Sequence, residues 1–285
     1  MAATAVPTTT RRNGSRVWTV ARTDLKQLIQ AKDFWAPMLG LGGLFFLVIP
    51  TILLLVITRI DNVQIVEQLS TTLQVLPQQA QEAIQGDSPT ARAAYALAVY
   101  LFAPVAVVVP LTISTAVGAA TIVGERERGT GEFLAHSPAA IKDIYLGKLI
   151  ASLAPGLATV FVGFGLYSVI VNLLVGPDVG GWFFPTPQWW VLMLWVVPPF
   201  LGLTLALVLR LSARVKSTAA AQQASGLISL PMIMIAYSQS TGALYTGMTV
   251  SWVIGGLAWV GALFALSRGV RSVTRARLLG VADEA

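Results

Sequence analysis

Six stretches of the chain, at 38–58, 93–123, 149–175, 189–209, 218–237 and 250–267, contain no Asp, Glu, Lys, Arg or His. A helix rises ~1.5 Å per residue, so about 20 apolar residues let it cross a hydrocarbon core of ~30 Å. The sequence therefore predicts an all-α membrane protein with six transmembrane helices. The second is long enough to project past the bilayer on one side. Composition points the same way: 55% of the residues are hydrophobic and 11% charged, against roughly 45–50% and roughly 25% in a soluble globular domain.

The net charge of +6 would suggest nucleic acid in a soluble protein, but here its distribution gives orientation, and no nucleic-acid partner is expected. Arg11, Arg12, Arg16, Arg22, Lys26 and Lys32 precede the first span. The connections after spans two and four hold four and three basic residues, and Arg268, Arg271, Arg275 and Arg277 follow the last span. The opposite side has only Arg59 and Arg92, so seventeen of the nineteen fall on one side. By the positive-inside rule that side is the cytoplasm, which predicts a multi-pass protein of the cell membrane with both termini cytoplasmic.

The expected organisation is a disordered tail over 1–14, an interfacial helix over 15–37, a six-span domain over 38–267 and a basic cytoplasmic tail over 268–285. No cleavable export signal is expected, because the first span is too long for the apolar region of a signal peptide. In "RVWTVARTDLKQLIQAKDFW", Val17, Val20, Ala21, Leu25, Leu28, Ile29 and Trp35 recur at helical intervals with the charges mostly on other faces. Basic residues and Trp together suit a helix lying at the membrane interface; an ordinary polar lead-in is the plainer alternative. The insertion at 59–92 carries a seam of Val66, Leu69, Leu73, Leu76, Ala80 and Ala83 that Pro77 interrupts, so short helices packed on the protein's own surface are expected. "GPDVGGWFFPTPQWW" reads as an interfacial aromatic belt. The uncharged 238–249 loop could re-enter the membrane if protein surrounds its backbone. Prolines at 104, 110, 155, 198, 199 and 231 predict disturbed helices.

The densest charge lies in "GERERGTGEFLAHSP", 124–138, directly after the second span. On this topology 124–148 is a cytoplasmic loop. Glu125, Arg126, Glu127 and Arg128 extend the second helix past the headgroups, and Gly129 is a plausible break. Thr130 can cap a very short helix carrying Glu132, Phe133 and Leu134. Ser137 and Pro138 read as the N-cap and first turn of the helix that enters the third span. A solvated charge run is the ordinary explanation, yet it leaves Phe133 and Leu134 uncovered.

"ERERGTGEFLAHSPAAIKDIYLGKL" resembles the cytoplasmic segment of the type-2 ATP-binding-cassette (ABC) permeases, where E-R-E-x-G-T-L-E-x-L-L precedes S/T-P and a later G-K. The matching positions are Glu125, Arg126, Glu127, Gly129, Thr130, Glu132, Leu134, Ser137, Pro138, Gly147 and Lys148. Gly131 and His136 depart from the pattern. The 15–37 helix is similar to that family's interfacial connecting helix. The resemblance implies that 124–148 holds a coupling helix that docks on a separate ATPase subunit, wedged by Phe133 and Leu134 with Glu125, Glu127 and Glu132 around the rim. It also implies export as the direction of transport, and a second permease subunit, identical or related, beside this one in the lipid bilayer.

The chain has no G-x-x-x-x-G-K-S/T phosphate loop, so no cofactor is expected in it; ATP and Mg belong to the partner. The one histidine, His136, and the absence of cysteine leave no evident catalytic constellation or thiolate metal site. Ion-driven carriers mark their path with ionisable residues inside the membrane, and these spans have none. The polar residues available to line a path are Thr112, Ser114, Thr115, Asn172, Gln222 and Gln223, each of which could instead bond between helices. A path without fixed charge favours a hydrophobic or amphipathic cargo such as a drug, lipid or peptide. A membrane scaffold or regulatory protein, or a membrane enzyme with an unrecognised site, are the other classes.

Overall fold

A computed structural model describes residues 13–59, 66–68, 71, 74, 76–127, 129, 136–137, 139–212, 215, 217–240 and 248–272. All regular structure among them is helical. The helix α1 is Asn13–Gln30; α2 covers 32–59 and α3 covers 89–127. The helix α4 is Ile141–Leu174, α5 Pro187–Ser212, α6 Thr218–Ser240 and α7 Met248–Ser272.

Five helices among the described residues are long and apolar enough to cross a membrane: Trp35–Arg59, Pro89–Thr121, Ile141–Leu174, Pro187–Ser212 and Met248–Gly269. These are five of the six expected crossings. The remaining expected run, 218–237, lies in α6, a helix of 23 residues that is not among these five.

Buriedness sorts the helices into an inner and an outer set. The most apolar windows of α3 and α5 are 72% and 67% buried, whereas those of α2 and α7 are 22% and 17% buried. The helix α3 packs on α4, α5 and α6, while α5 also carries α7 on its outer side. Outer helices therefore expose Leu39, Ile52, Val253, Leu257, Val260 and Leu263, the uniform apolar surface that lipid tails cover at no cost.

The expected disturbance at prolines takes a specific form. Three π-helical segments, Leu44–Val48, Leu97–Leu101 and Leu192–Val196, each end two or three residues before Pro50, Pro104 and Pro198. A proline returns no N–H to the preceding turn and its ring crowds the carbonyl four residues back, so a wider turn relieves the contact. In α3 this loosening exposes carbonyls that other side chains take up. Tyr167 Oη donates to Ala98 O at 2.7 Å and Trp189 Nε1 to Val99 O at 2.9 Å. Both rings stack in a cluster with Phe164 and Phe184.

Pro77 does not interrupt a helix but starts one, Gln78–Glu82. Leu76, Ala80 and Ile84 are buried in the main core, and Tyr100 Oη donates to Ala80 O at 3.2 Å. The insertion thus packs on the body of the protein through Leu76 and Ala80 of its predicted seam, while Ala83 is exposed and Ile84 is buried in its place. Leu69 and Leu73 lie outside the described residues.

Candidate functional site

The second-span helix runs on to Glu127, as its alternating charges predict. Gly129 follows with φ of +70°, a left-handed conformation that a side chain disfavours, so the helix stops there. Of the predicted coupling segment, Thr130, Glu132, Phe133, Leu134 and Pro138 lie outside the described residues, as do the side chains of Glu125 and Arg126.

One reading of the far side of this loop is corrected. The next helix is capped at Ala140, not at Ser137: the Ala140 carbonyl accepts from the N–H groups of Asp143 and Ile144. Asp143, buried in the first turn, places a carboxylate at the positive end of the helix. The helix expected to enter the third span is present from Ile141, so 141–148 is helix and Gly147 and Lys148 stand well inside it. What the charge of this stretch does not announce is burial: Lys148 is only 1% exposed.

Burial of Lys148 is explained by what surrounds it. Its ammonium lies 3.3 Å from Asp24 Oδ2 on α1 and donates to Thr121 O on α3 at 3.2 Å. Removing a charge from water is costly unless it is paired and hydrogen-bonded, and here both conditions hold. The pair lines a cavity of about 110 Å³ together with Gln27, Thr121 and Gly124. One turn on, Ser152 Oγ donates to Lys148 O and lies 3.3 Å from Thr121 Oγ1.

Gly147 has a distinct role. A Cβ there would sit 2.6 Å from Val20 Cβ and 3.0 Å from Val17 O. Only the missing side chain lets α1 lie directly on α4. Val17, Val20 and Ala21 of the face predicted to be apolar are turned toward this contact, whereas Ile29, expected on the same face, is exposed, as are Trp18, Arg22 and Lys26. The helix thus has one face for the protein and an exposed second face that mixes apolar and basic side chains.

A further tie had no signal in the sequence. The Glu127 carboxylate accepts a hydrogen bond from Thr218 N at 2.8 Å and another from Thr218 Oγ1. An acidic side chain from one helix therefore caps the start of another, meeting a backbone donor that α6 cannot satisfy itself. Ser212 Oγ donates to Ala119 O, joining α5 to α3. Gly269 of α7 lies against the Tyr145 hydroxyl, which an added Cβ would approach to 2.1 Å. At this end of the bundle α1, α3, α4, α5, α6 and α7 are all cross-tied around the loop that joins α3 to α4.

The polar residues of the spans separate into two groups. Ser114, at 0% exposure, faces Gly156, and Thr115 donates to Leu111 O within its own helix. Asn172 is buried and fully used: Nδ2 donates to Ser168 O and Phe184 O, and Oδ1 accepts from the N–H groups of Phe183 and Phe184. Gln222, Gln223 and Thr112 are exposed.

A buried core of long apolar helices, with prolines absorbed by π-turns and a polar junction gathered at one end, defines a multi-pass helical membrane protein. The sequence matches the model of the ABC-2 family transporter proteins over residues 18–251. The chain belongs to that family: it is a permease subunit of an ABC transporter, a class that works in the lipid bilayer with an ABC ATPase. The match includes most of α1 and the whole of the α3–α4 loop. No curated protein is similar enough to this chain to count as a match.

Proposed function

We propose that this chain is the membrane half of an ATP-driven exporter, forming the path for a hydrophobic or amphipathic cargo. It has six crossings, α2 to α7, with both termini in the cytoplasm. Two such subunits, identical or related, enclose the path. A separate ATPase subunit binds ATP and Mg and drives the chain through a coupling helix in the 124–148 loop, where Phe133 and Leu134 seat in the ATPase and Glu125, Glu127 and Glu132 face its rim.

The observation that carries this reading is the cross-tied junction around the α3–α4 loop. Motion can pass from a docked partner into the spans only through stiff contacts. Glu127 on Thr218 and Lys148 on Asp24 connect that loop to α6 and to α1. Exposed Gln222 and Gln223 on α6 support the position of the path. Amides facing hydrocarbon would lack partners, so an aqueous path or a second subunit is what suits them.

The test is co-purification of the tagged full chain from its own cells. A subunit carrying a phosphate loop should come with it, and Phe133→Ala with Leu134→Ala should release that subunit or uncouple its ATPase from transport. An isolated chain that transforms a substrate without nucleotide would sink the reading.

A further inference from the structure

Away from the junction, a cleft of about 380 Å³ opens between the first half of α2 and the middle of α4, within the ~300–1,000 Å³ range of ligand sites. Its origin is local. Phe46 docks on Gly163, where an added Cβ would come within 2.9 Å of the ring, and pinches the two spans together. Toward the elbow at Ala31 they part, and Gly43 has nothing within 4 Å of where its Cβ would be.

The surroundings decide what fills this space. Leu39 and Val162 on its lips are 66% and 61% exposed, and the neighbouring outer residues Leu44, Phe161 and Leu166 are exposed and apolar too, so it opens sideways into hydrocarbon. Water needs two or more polar partners to stay in such a place. The polar side-chain groups lining it are already used: Thr159 Oγ1 donates to Pro155 O, and Trp35 Nε1 donates to Ile29 O. A void would forfeit dispersion contacts on every wall. An alkyl chain loses nothing by entering.

The elbow end is different in charge. Lys26 and Lys32 are exposed on the two sides of Ala31, and Lys32 stands one turn before Trp35, on the helix face that borders the cleft. Asp24, the acid of α1, faces the other way toward Lys148; the side chain of Asp33, next to Lys32, lies outside the described residues.

We propose that this cleft seats one acyl chain of a resident bilayer phospholipid, whose anionic headgroup rests at Lys32. The lipid fills the angle between α1 and α2, in the leaflet on the side of α1. It is separate from the exposed glutamines of α6, and its presence does not depend on the direction of transport or the cargo.

The test uses the full chain in phosphatidylcholine vesicles containing a minor share of phosphatidylglycerol with a diazirine on its acyl chain. After irradiation, adducts should concentrate on residues 38–47 and 158–166 rather than on the exposed 257–264 face of α7. Gly43→Leu, which adds bulk where there is open space, should lower adducts at the cleft roughly tenfold while the α7 face is unchanged. Thr159→Leu provides a second filling variant, and monodispersity with unchanged helicity qualifies either one. Lys32→Gln should cut the preference for phosphatidylglycerol over diazirine phosphatidylcholine about fivefold, the weight of one lysine near an anionic surface. Cleft labelling no stronger than that of α7, or unaffected by both fillings, overturns the seat; an unchanged lipid preference in Lys32→Gln overturns the headgroup assignment. The natural chain has no cysteine, so cross-linking of Gly43→Cys to a second copy would give the cleft to a subunit interface and overturn the proposal.

Discussion

Lys148 and Asp24, 124 positions apart, form a buried ion pair that holds the N-terminal helix against the third-span helix. Removing Asp24 should destabilise the protein by ~3 kcal/mol, since the Lys148 charge then stays buried without its counter-ion; removing Lys148 should cost less, because Asp24 is partly exposed. The double variant Asp24→Asn with Lys148→Met should be closer to the wild type than either single change. Thermal unfolding of the four proteins in one detergent checks this as a double-mutant cycle. Additive losses would show that the two groups do not interact.

Glu127 caps α6 through Thr218, so its substitution acts on a helix start rather than on a surface. Glu127→Ala should cost about 1 kcal/mol, the usual size of a lost cap. Glu127→Gln, which keeps a carbonyl acceptor, should recover much of it. Hydrogen exchange at 218–222 is the direct readout: protection should drop in Glu127→Ala and largely return in Glu127→Gln.

At Gly147 the steric argument makes an unusual demand on rescue. Gly147→Ala should lift α1 off α4 and expose it to protease, because the new methyl meets Val20 Cβ at 2.6 Å. Val20→Ala should not restore protection, since alanine retains the offending Cβ. Val20→Gly should restore part of it, limited by the nearby Val17 carbonyl.

Asn172 ties the 183–184 turn to α4 with three hydrogen bonds and donates a fourth to Ser168 O within its own helix. Leucine in its place leaves buried donors and acceptors unpaired, each at ~1–3 kcal/mol. Asn172→Leu should therefore lower the melting temperature and open the 176–186 segment to proteolysis. A variant of normal stability with altered cargo preference would mean that the side chain serves the path instead.

Gln222 and Gln223 give the opposite expectation. Both are exposed, so the double change to Leu should leave folding within about 0.5 kcal/mol. Transport or subunit pairing should change, measured as cargo flux in vesicles and as the mass of the detergent-solubilised complex. A fully active pair-deleted protein would remove these residues from the path.

Much of this architecture was legible along the chain because bilayer thickness fixes helix length and lipid admits only satisfied backbone. Apolar runs therefore located the spans, the 3.6-residue period exposed the two faces of α1, and Gly129 marked the end of α3. Lys148 defeated the same reading. Hydropathy scores a lysine as solvent-facing, and nothing local shows that Asp24 waits beside it. Ser137 was mistaken for a cap for a related reason: a cap is set by where the backbone turns extended, at Ala140, and a nearby serine does not settle that.

Linear order thus determined what must be in the membrane, which loop carries the charge and which glycine interrupts a helix, because each follows from a residue's own solvation or dihedral freedom. Tertiary structure alone decided the partners. Glu127 found Thr218, Lys148 found Asp24, and Trp189 found the Val99 carbonyl that the π-turn before Pro104 exposes. Such pairings depend on how helices cross, and the crossing is set by small-residue contacts such as Gly147 on Val20, whose two halves lie far apart in the chain.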